Sequence, residues 1–321
     1  MSAPLLEVSN LQMHFPVREG LFLRARAFNR AVDGVSFTIN PGETLGLVGE
    51  SGCGKSTLGR CITRLYTPTG GSIRFAGEDI THMRPRTLRP LRQDIQMIFQ
   101  DPMESLNARH TVGDILEEPF IVHRIGDRVW RRKRVAELLN IVGLPARSAT
   151  RFPFEFSGGQ RQRIGIARAI ALNPRLVICD EPVSALDVSI QSQILNLLVD
   201  LQREFNLAYL FIAHDLAVVK HVSDRVAIMY LGKIVETAPS ETLYREASHP
   251  YTQSLISAIP VPDPHRKAQR DVLRGDVPSP INPPTGCSFH PRCPRCSEAE
   301  PRLAPLTGNH AAACHLLARS G

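Results

Sequence analysis

Two spacings of apolar residues alternate along the 321-residue chain. Short apolar runs, the pattern of buried strands, fall near residues 5–8, 35–39, 44–48, 73–75, 95–98, 176–180, 208–212 and 226–230. Between them, apolar residues recur at helical intervals over 55–65, 130–142, 158–171, 189–205 and 215–222. Ala136, Leu138, Leu139 and Ile141, for example, make one apolar face on the second of these helices. Strands that alternate with helices predict an α/β fold with a mostly parallel sheet core. The strand-rich start predicts an antiparallel β portion, and residues 101–172 a helical insert. Residues 18–30 read as an insertion in the amino-terminal strands, and no internal repeat is present.

Composition changes this picture little. Lys and Arg number 38 against 31 Asp and Glu, a net charge of +7. That surplus suits an anionic membrane surface or nucleic acid and by itself selects neither. The densest basic stretch, Arg128 and Arg131 to Arg134 around Trp130, opens a helix whose apolar face packs in a domain. No stretch approaches the roughly 18–20 apolar residues that span a bilayer, and no signal-peptide pattern opens the chain. The expectation is a cytoplasmic protein whose membrane role, if it has one, is peripheral.

Three short segments carry chemistry. The first, Gly49-Glu50-Ser51-Gly52-Cys53-Gly54-Lys55-Ser56 followed by Thr57, stands between an apolar strand and a helix. Glycines there let successive amides converge on phosphate oxygens at the positive end of a helix dipole. Lys55 reaches the β- and γ-phosphates and Ser56 ligates Mg²⁺ in such a loop. Cys53 needs only to be small. The second segment, Leu176 to Cys179 closed by Asp180-Glu181, delivers two carboxylates at the carboxyl end of a strand. Successive side chains on a strand point opposite ways, so the acids can divide the work: Asp180 on the metal, Glu181 on the attacking water. Taken alone, such a run is as often a plain strand end. The third, Ser157-Gly158-Gly159-Gln160, opens a helix and makes a second anion-binding terminus. One nucleotide site cannot use two such termini, which points to a head-to-tail dimer. A capped amphipathic helix is the plainer alternative.

In this order the segments resemble the ATP-binding cassette family, whose fold is a P-loop NTPase core with an antiparallel β subdomain and a helical subdomain. The resemblance makes the tetrad the signature motif, with Phe156 where Leu is usual. It makes Gln100 the Q-loop glutamine on Mg²⁺ and water, and Ser184-Ala185-Leu186-Asp187 the D-loop that communicates across the dimer. His214 becomes the switch histidine on the γ-phosphate. Phe15 is the candidate for stacking on adenine, with core packing as its competing role. No element is missing, so the resemblance implies a competent ATPase.

After residue 240 the texture changes. His249-Pro250-Tyr251-Thr252 opens a helix to Ile259, a Pro-rich stretch covers 260–285, and Cys287, Cys293, Cys296 and Cys314 crowd the end of the chain. In a reducing compartment such a group reads as a metal site before it reads as disulfides. His-Pro-Tyr and Gly286-Cys287-Ser288-Phe289-His290-Pro291-Arg292-Cys293-Pro294 resemble the carboxyl-terminal extension of oligopeptide and dipeptide importer ATPases. Members of that group hold a [4Fe-4S] cluster on four cysteines. Here Cys296 follows Cys293 more closely than is usual, and Zn²⁺ on the same residues remains the alternative. The resemblance divides the chain into a nucleotide-binding domain, 1–240, and an extension, 241–321. It implies an ATPase bound to the cytoplasmic face of a bacterial inner membrane. The implied partners are a second, related ATPase, two permeases and, indirectly, an external binding protein. Nickel or another small solute is the alternative cargo. A soluble cassette acting on nucleic acid or ribosomes is the other class, but two cassettes or a long coiled coil are absent, so no nucleic acid partner is expected.

Overall fold

The computed structural model describes residues 3–19, 24–101, 105–259, 275–293, 299–306, 308–315 and 317, with the side chains of 18, 19 and 24–26 left aside. The described residues divide into two compact units, one drawn from 1–39, 44–82 and 213–321, the other from 40–43 and 83–212.

The first unit opens with a long antiparallel hairpin, β1 (Leu6–Glu19) and β2 (Arg24–Ile39), whose pairing runs from Leu6↔Ile39 to Glu19↔Arg24. The described part of the segment read as an insertion, 18–19 and 24–30, therefore lengthens both strands. The strands ran unrecognised past residue 8 because Asn10 takes a left-handed φ of 48° and the register shifts there and three times more. Each shift resets the two-residue alternation that marks a strand. The unit continues through β3 (Thr44–Val48) and α1 (Lys55–Ile62) to β4 (Gly70–Phe75), which pairs with β1, and β5 (Glu78–Asp79), which pairs with β4.

The second unit begins with α2 (Pro85–Leu91) and β6 (Ile95–Ile98). Its helical part comprises α3 (Val112–His123), α4 (Arg128–Ile141) and α5 (Gly158–Ile170). The sequence pattern missed α3, which carries Gly113 and Pro119 yet is fixed by a capping box between Thr111 and Asp114. β7 (Leu176–Asp180), α6 (Val188–Phe205) and β8 (Ala208–Ala213) follow. β7 runs parallel to both β6 and β8, and every residue of β7 and β8 is buried, as expected of strands covered on both faces.

The chain returns to the first unit with α7 (Leu216–Val222), β9 (Arg225–Tyr230), β10 (Lys233–Pro239), α8 (Ser240–Glu246) and α9 (Pro250–Ser257). β9 is parallel to β3 and antiparallel to β10. The tail adds β11 (Ala304–Pro305) and β12 (Ala311–Ala312), the latter pairing Glu236↔Ala312 on β10.

Glu236, with no solvent exposure, organises the tail. His310 Nε2 lies 2.8 Å from its Oε1, which also accepts from Ser248 N at 2.7 Å, and Oε2 accepts from His249 N at 3.0 Å. His249 in turn caps α9, its Nδ1 accepting from Tyr251 N at 3.1 Å. Burial holds the His249 imidazole down at about 4, against the partial opposition of Glu236. The unfolded chain therefore takes up a proton near pH 6.5 that the folded chain refuses until about pH 4, and stability falls as pH drops through that window. Between pH 7 and pH 5 this single group should withdraw about 2 kcal/mol. Urea unfolding at both values should show a smaller loss for His249→Asn than for the natural chain; equal losses would contradict this account.

Candidate functional site

The phosphate loop is built by β3, which is wholly buried, and by α1, which begins at Lys55. The turn between them needs Gly54: its φ is 108°, and a Cβ there would stand 1.9 Å from the carbonyl oxygen of Ala31. Gly54 is also the N-cap of α1 and, having no side chain, makes no side-chain cap hydrogen bond to the helix terminus. Lys55, only 4% exposed, folds back so that its Nζ donates to Gly49 O at 2.8 Å and Glu50 O at 3.1 Å. Ser56 and Thr57 follow in the first turn, half-buried. Burial raises the Cys53 thiol despite Lys55 beside it, which makes it an inert small residue. A helix terminus with a buried ammonium beside it has the charge to take a phosphate.

Phe15 lies on β1, half-buried and edge-on to Tyr66 with ring centroids 5.5 Å apart. His214 is exposed just beyond β8, and Asp215 behind it caps α7 by accepting from Ala217 N at 2.7 Å.

In the second unit the parallel register of β6 and β7 places Ile98 opposite Cys179. Two residues further along each chain stand Gln100 and Glu181, and Gln100 Nε2 donates to Glu181 Oε2 at 3.3 Å. Asp180 is the last residue of β7 and 1% exposed. The two acids do not owe their separation to strand alternation, as the sequence reading had it. Glu181 has left the strand and takes a left-handed φ of 45°, with its amide donating to Ile212 O at 3.0 Å and its carbonyl accepting from Ser184 N and Oγ. That turn, rather than the pleat, aims the carboxylate toward Gln100.

Ser184 to Asp187 form a tight turn into α6, with Leu186 N donating to Val183 O. Gln191, which no sequence signal marked, pins it: its Nε2 donates to Val183 O at 3.1 Å and to Leu186 O at 2.9 Å. The tetrad begins α5 as a closed capping box, in which Ser157 Oγ accepts from Gln160 N at 3.4 Å and Gln160 Oε1 accepts from Ser157 N at 3.1 Å. A Cβ on Gly159 would meet Ile190 Cγ2 at 2.5 Å, so the tetrad and the turn into α6 are packed as one piece. Phe156 is buried, with the Arg151 guanidinium 4.7 Å from its ring centroid.

Residues 32–184 match the family described as ABC transporter, and residues 235–299 match the oligopeptide/dipeptide transporter C-terminal region. The oligopeptide transport ATP-binding protein AppF of Bacillus subtilis is 54% identical over 97% of this chain and 97% of its own length. This chain belongs to the ABC transporter family, among the ATP-binding subunits of its oligopeptide/dipeptide branch. The oligopeptide transport ATP-binding protein OppF of Salmonella typhimurium is 51% identical over 97% of the chain and 95% of its own. The ATP-binding cassette MJ0796, solved as a dimer in a post-hydrolysis state with ADP and Pi, shares the fold with a TM-score of 0.65. It is 29% identical and covers 73% of this chain and 98% of its own. As an ABC cassette the chain is an ATPase.

The expected metal group of the tail is a different matter. Cys287 is buried, while Cys293 and Cys314 are half-buried. Among the described residues no three His, Cys, Asp or Glu side chains gather as a cation site, and Cys296 lies outside them. The described donors do not by themselves fit a cluster or a zinc ion. No helix among the described residues is long and apolar enough to cross a membrane.

Proposed function

We propose that this cassette hydrolyses ATP to drive the import of di- or oligopeptides, paired head to tail with a second, related ATPase beneath two permeases. The observation that carries the catalytic part is the contact of Gln100 with Glu181 at the ends of adjacent parallel strands. The peptide assignment is supported by similarity along nearly the whole chain to oligopeptide transport proteins. On this reading residues 1–240 are the nucleotide-binding domain, 241–321 the extension, and the protein works on the cytoplasmic face of a bacterial inner membrane.

Residues 49–57 hold the triphosphate, with Lys55 countering its charge and Phe15 against the adenine. Ser56, Gln100 and Asp180 would hold Mg²⁺, which when bound would supply charge withdrawal from the phosphate oxygens. Glu181 accepts a hydrogen bond from the attacking water and orients it. The oxygen of that water bonds to the γ-phosphorus as the bond to the bridging oxygen of ADP breaks, and phosphate leaves with the proton. His214 steadies the γ-phosphate. The tetrad Ser157 to Gln160 closes over the γ-phosphate held by the partner ATPase, where the Ser157 hydroxyl can donate to a phosphate oxygen while still accepting from Gln160 N. Ser184 to Asp187 carry the message across the pair.

The four tail cysteines are assigned, on residue type alone, to a [4Fe-4S] cluster or a zinc ion, and no step of turnover runs through them. A pull-down of tagged protein from native membranes in mild detergent, under exclusion of air, tests these assignments together. Two multi-span permeases and a second ATPase should be recovered, with broad absorbance near about 400 nm in the sample. Recovery of ribosomal proteins without a permease would overturn the importer reading; zinc without that absorbance would overturn the cluster.

A further inference from the structure

An acidic residue sits in the middle of a loop whose work is to bind anions. Glu50, next to Gly49 at the start of the phosphate loop, contributes its carbonyl to Lys55 Nζ and so lies beside the ammonium that meets the phosphates. A bare carboxylate at that point would repel a nucleotide carrying about four negative charges at neutral pH. It is not bare. Arg292, 242 residues away in the tail, grips it with a two-pronged pair, Nη1 to Oε2 at 2.7 Å and Nη2 to Oε1 at 3.0 Å. The Arg292 side chain is 6% exposed and that of Glu50 28%, so the pair is shielded from bulk water.

The guanidinium is delivered by a short 3-10 turn, His290–Arg292, whose ends are tied by Arg292 N donating to Phe289 O and Cys293 N donating to His290 O. Phe289 anchors the turn, buried among Tyr230, Tyr251 and His249 with ring centroids 4.8–5.5 Å apart in that group. The Tyr251 hydroxyl from the same group accepts from Glu50 N at 2.9 Å. One tail residue thus holds the side chain of Glu50 and another its backbone.

We propose that Arg292 is a positioning residue for ATP: it neutralises Glu50 and draws its carboxylate away from the phosphate oxygens, so that the tail sets the nucleotide affinity of the loop. This rests on the reading of residues 49–57 as the ATP site. It assigns the tail a task independent of any metal it carries. Packing alone would give a different result, because a merely structural Arg292 could not be replaced by deleting the charge it faces.

The full-length protein, titrated calorimetrically with the magnesium complex of a non-hydrolysable ATP analogue, separates the two. Arg292→Gln should weaken binding about tenfold at low salt, and the loss should shrink toward 1 M salt. Added to Glu50→Gln, the same change should alter affinity less than about threefold. Binding by Arg292→Gln within about twofold of the natural chain overturns the proposal, and so does a double variant that falls as far below Glu50→Gln as Arg292→Gln falls below the natural chain. If Arg292→Gln alone fails to fold, the double variant decides, since the charge account requires it to fold and bind. Failure of the natural chain to bind the analogue would instead remove the ATP-site reading and the proposal with it.

Discussion

Glu181→Gln should bind MgATP as tightly as the natural chain and hydrolyse it at least about a hundred times more slowly. The substitution is close to isosteric, and the amide oxygen at position 181 can still accept from Gln100 Nε2, so the strand-end geometry survives. What disappears is the anionic acceptor to which the proposed mechanism assigns the orientation of the attacking water. In the proposed cycle opening follows hydrolysis, so the variant should accumulate as a closed dimer on MgATP, visible as an earlier peak in size-exclusion chromatography. The checking measurement is steady-state phosphate release beside equilibrium ATP binding. Release within a few-fold of the natural rate would remove Glu181 from its role.

Gly54→Ala should abolish ATP binding at concentrations that saturate the natural chain, although it adds a single methyl group. The clash at 1.9 Å is with the Ala31 carbonyl oxygen, a backbone atom of β2 that cannot swing aside as a side-chain tip could. Position 54 also carries a φ of 108°, where a Cβ adds a conformational cost of about 1–3 kcal/mol. Either the loop rebuilds, moving Lys55 off Gly49 and Glu50, or β2 shifts. Equilibrium binding of MgATP alongside a thermal melt distinguishes the two, and natural affinity in the variant would contradict the cradle described here.

What the sequence made legible was whatever repeats locally. The buried runs of β3, β7 and β8 and the apolar faces of α5 and α6 stand out because consecutive residues share one environment. β10 escaped because a register shift between Ile234 and Glu236 breaks its alternation and places a carboxylate in the interior. The motif residues were recognisable by type and order, but their geometry was not. The left-handed turn at Glu181 has no signature in a residue that seldom adopts it, and the bond from Gln100 depends on a strand register between segments 81 residues apart. Arg292 was visible inside a tail pattern, yet nothing local says that its partner lies 242 positions earlier.

Glu236 carries a consequence for how such chains can be inherited. It belongs to β10, yet its two oxygens are satisfied by His310, Ser248 and His249, all later in the sequence. A lineage that lost everything after β10 while keeping Glu236 would strip that carboxylate of all three partners and uncover it to water. β10 and the tail are therefore joined by a shared carboxylate that any exchange of coding sequence between them would have to separate. A recombination junction upstream of Glu236 keeps the carboxylate and its three partners on one inherited piece.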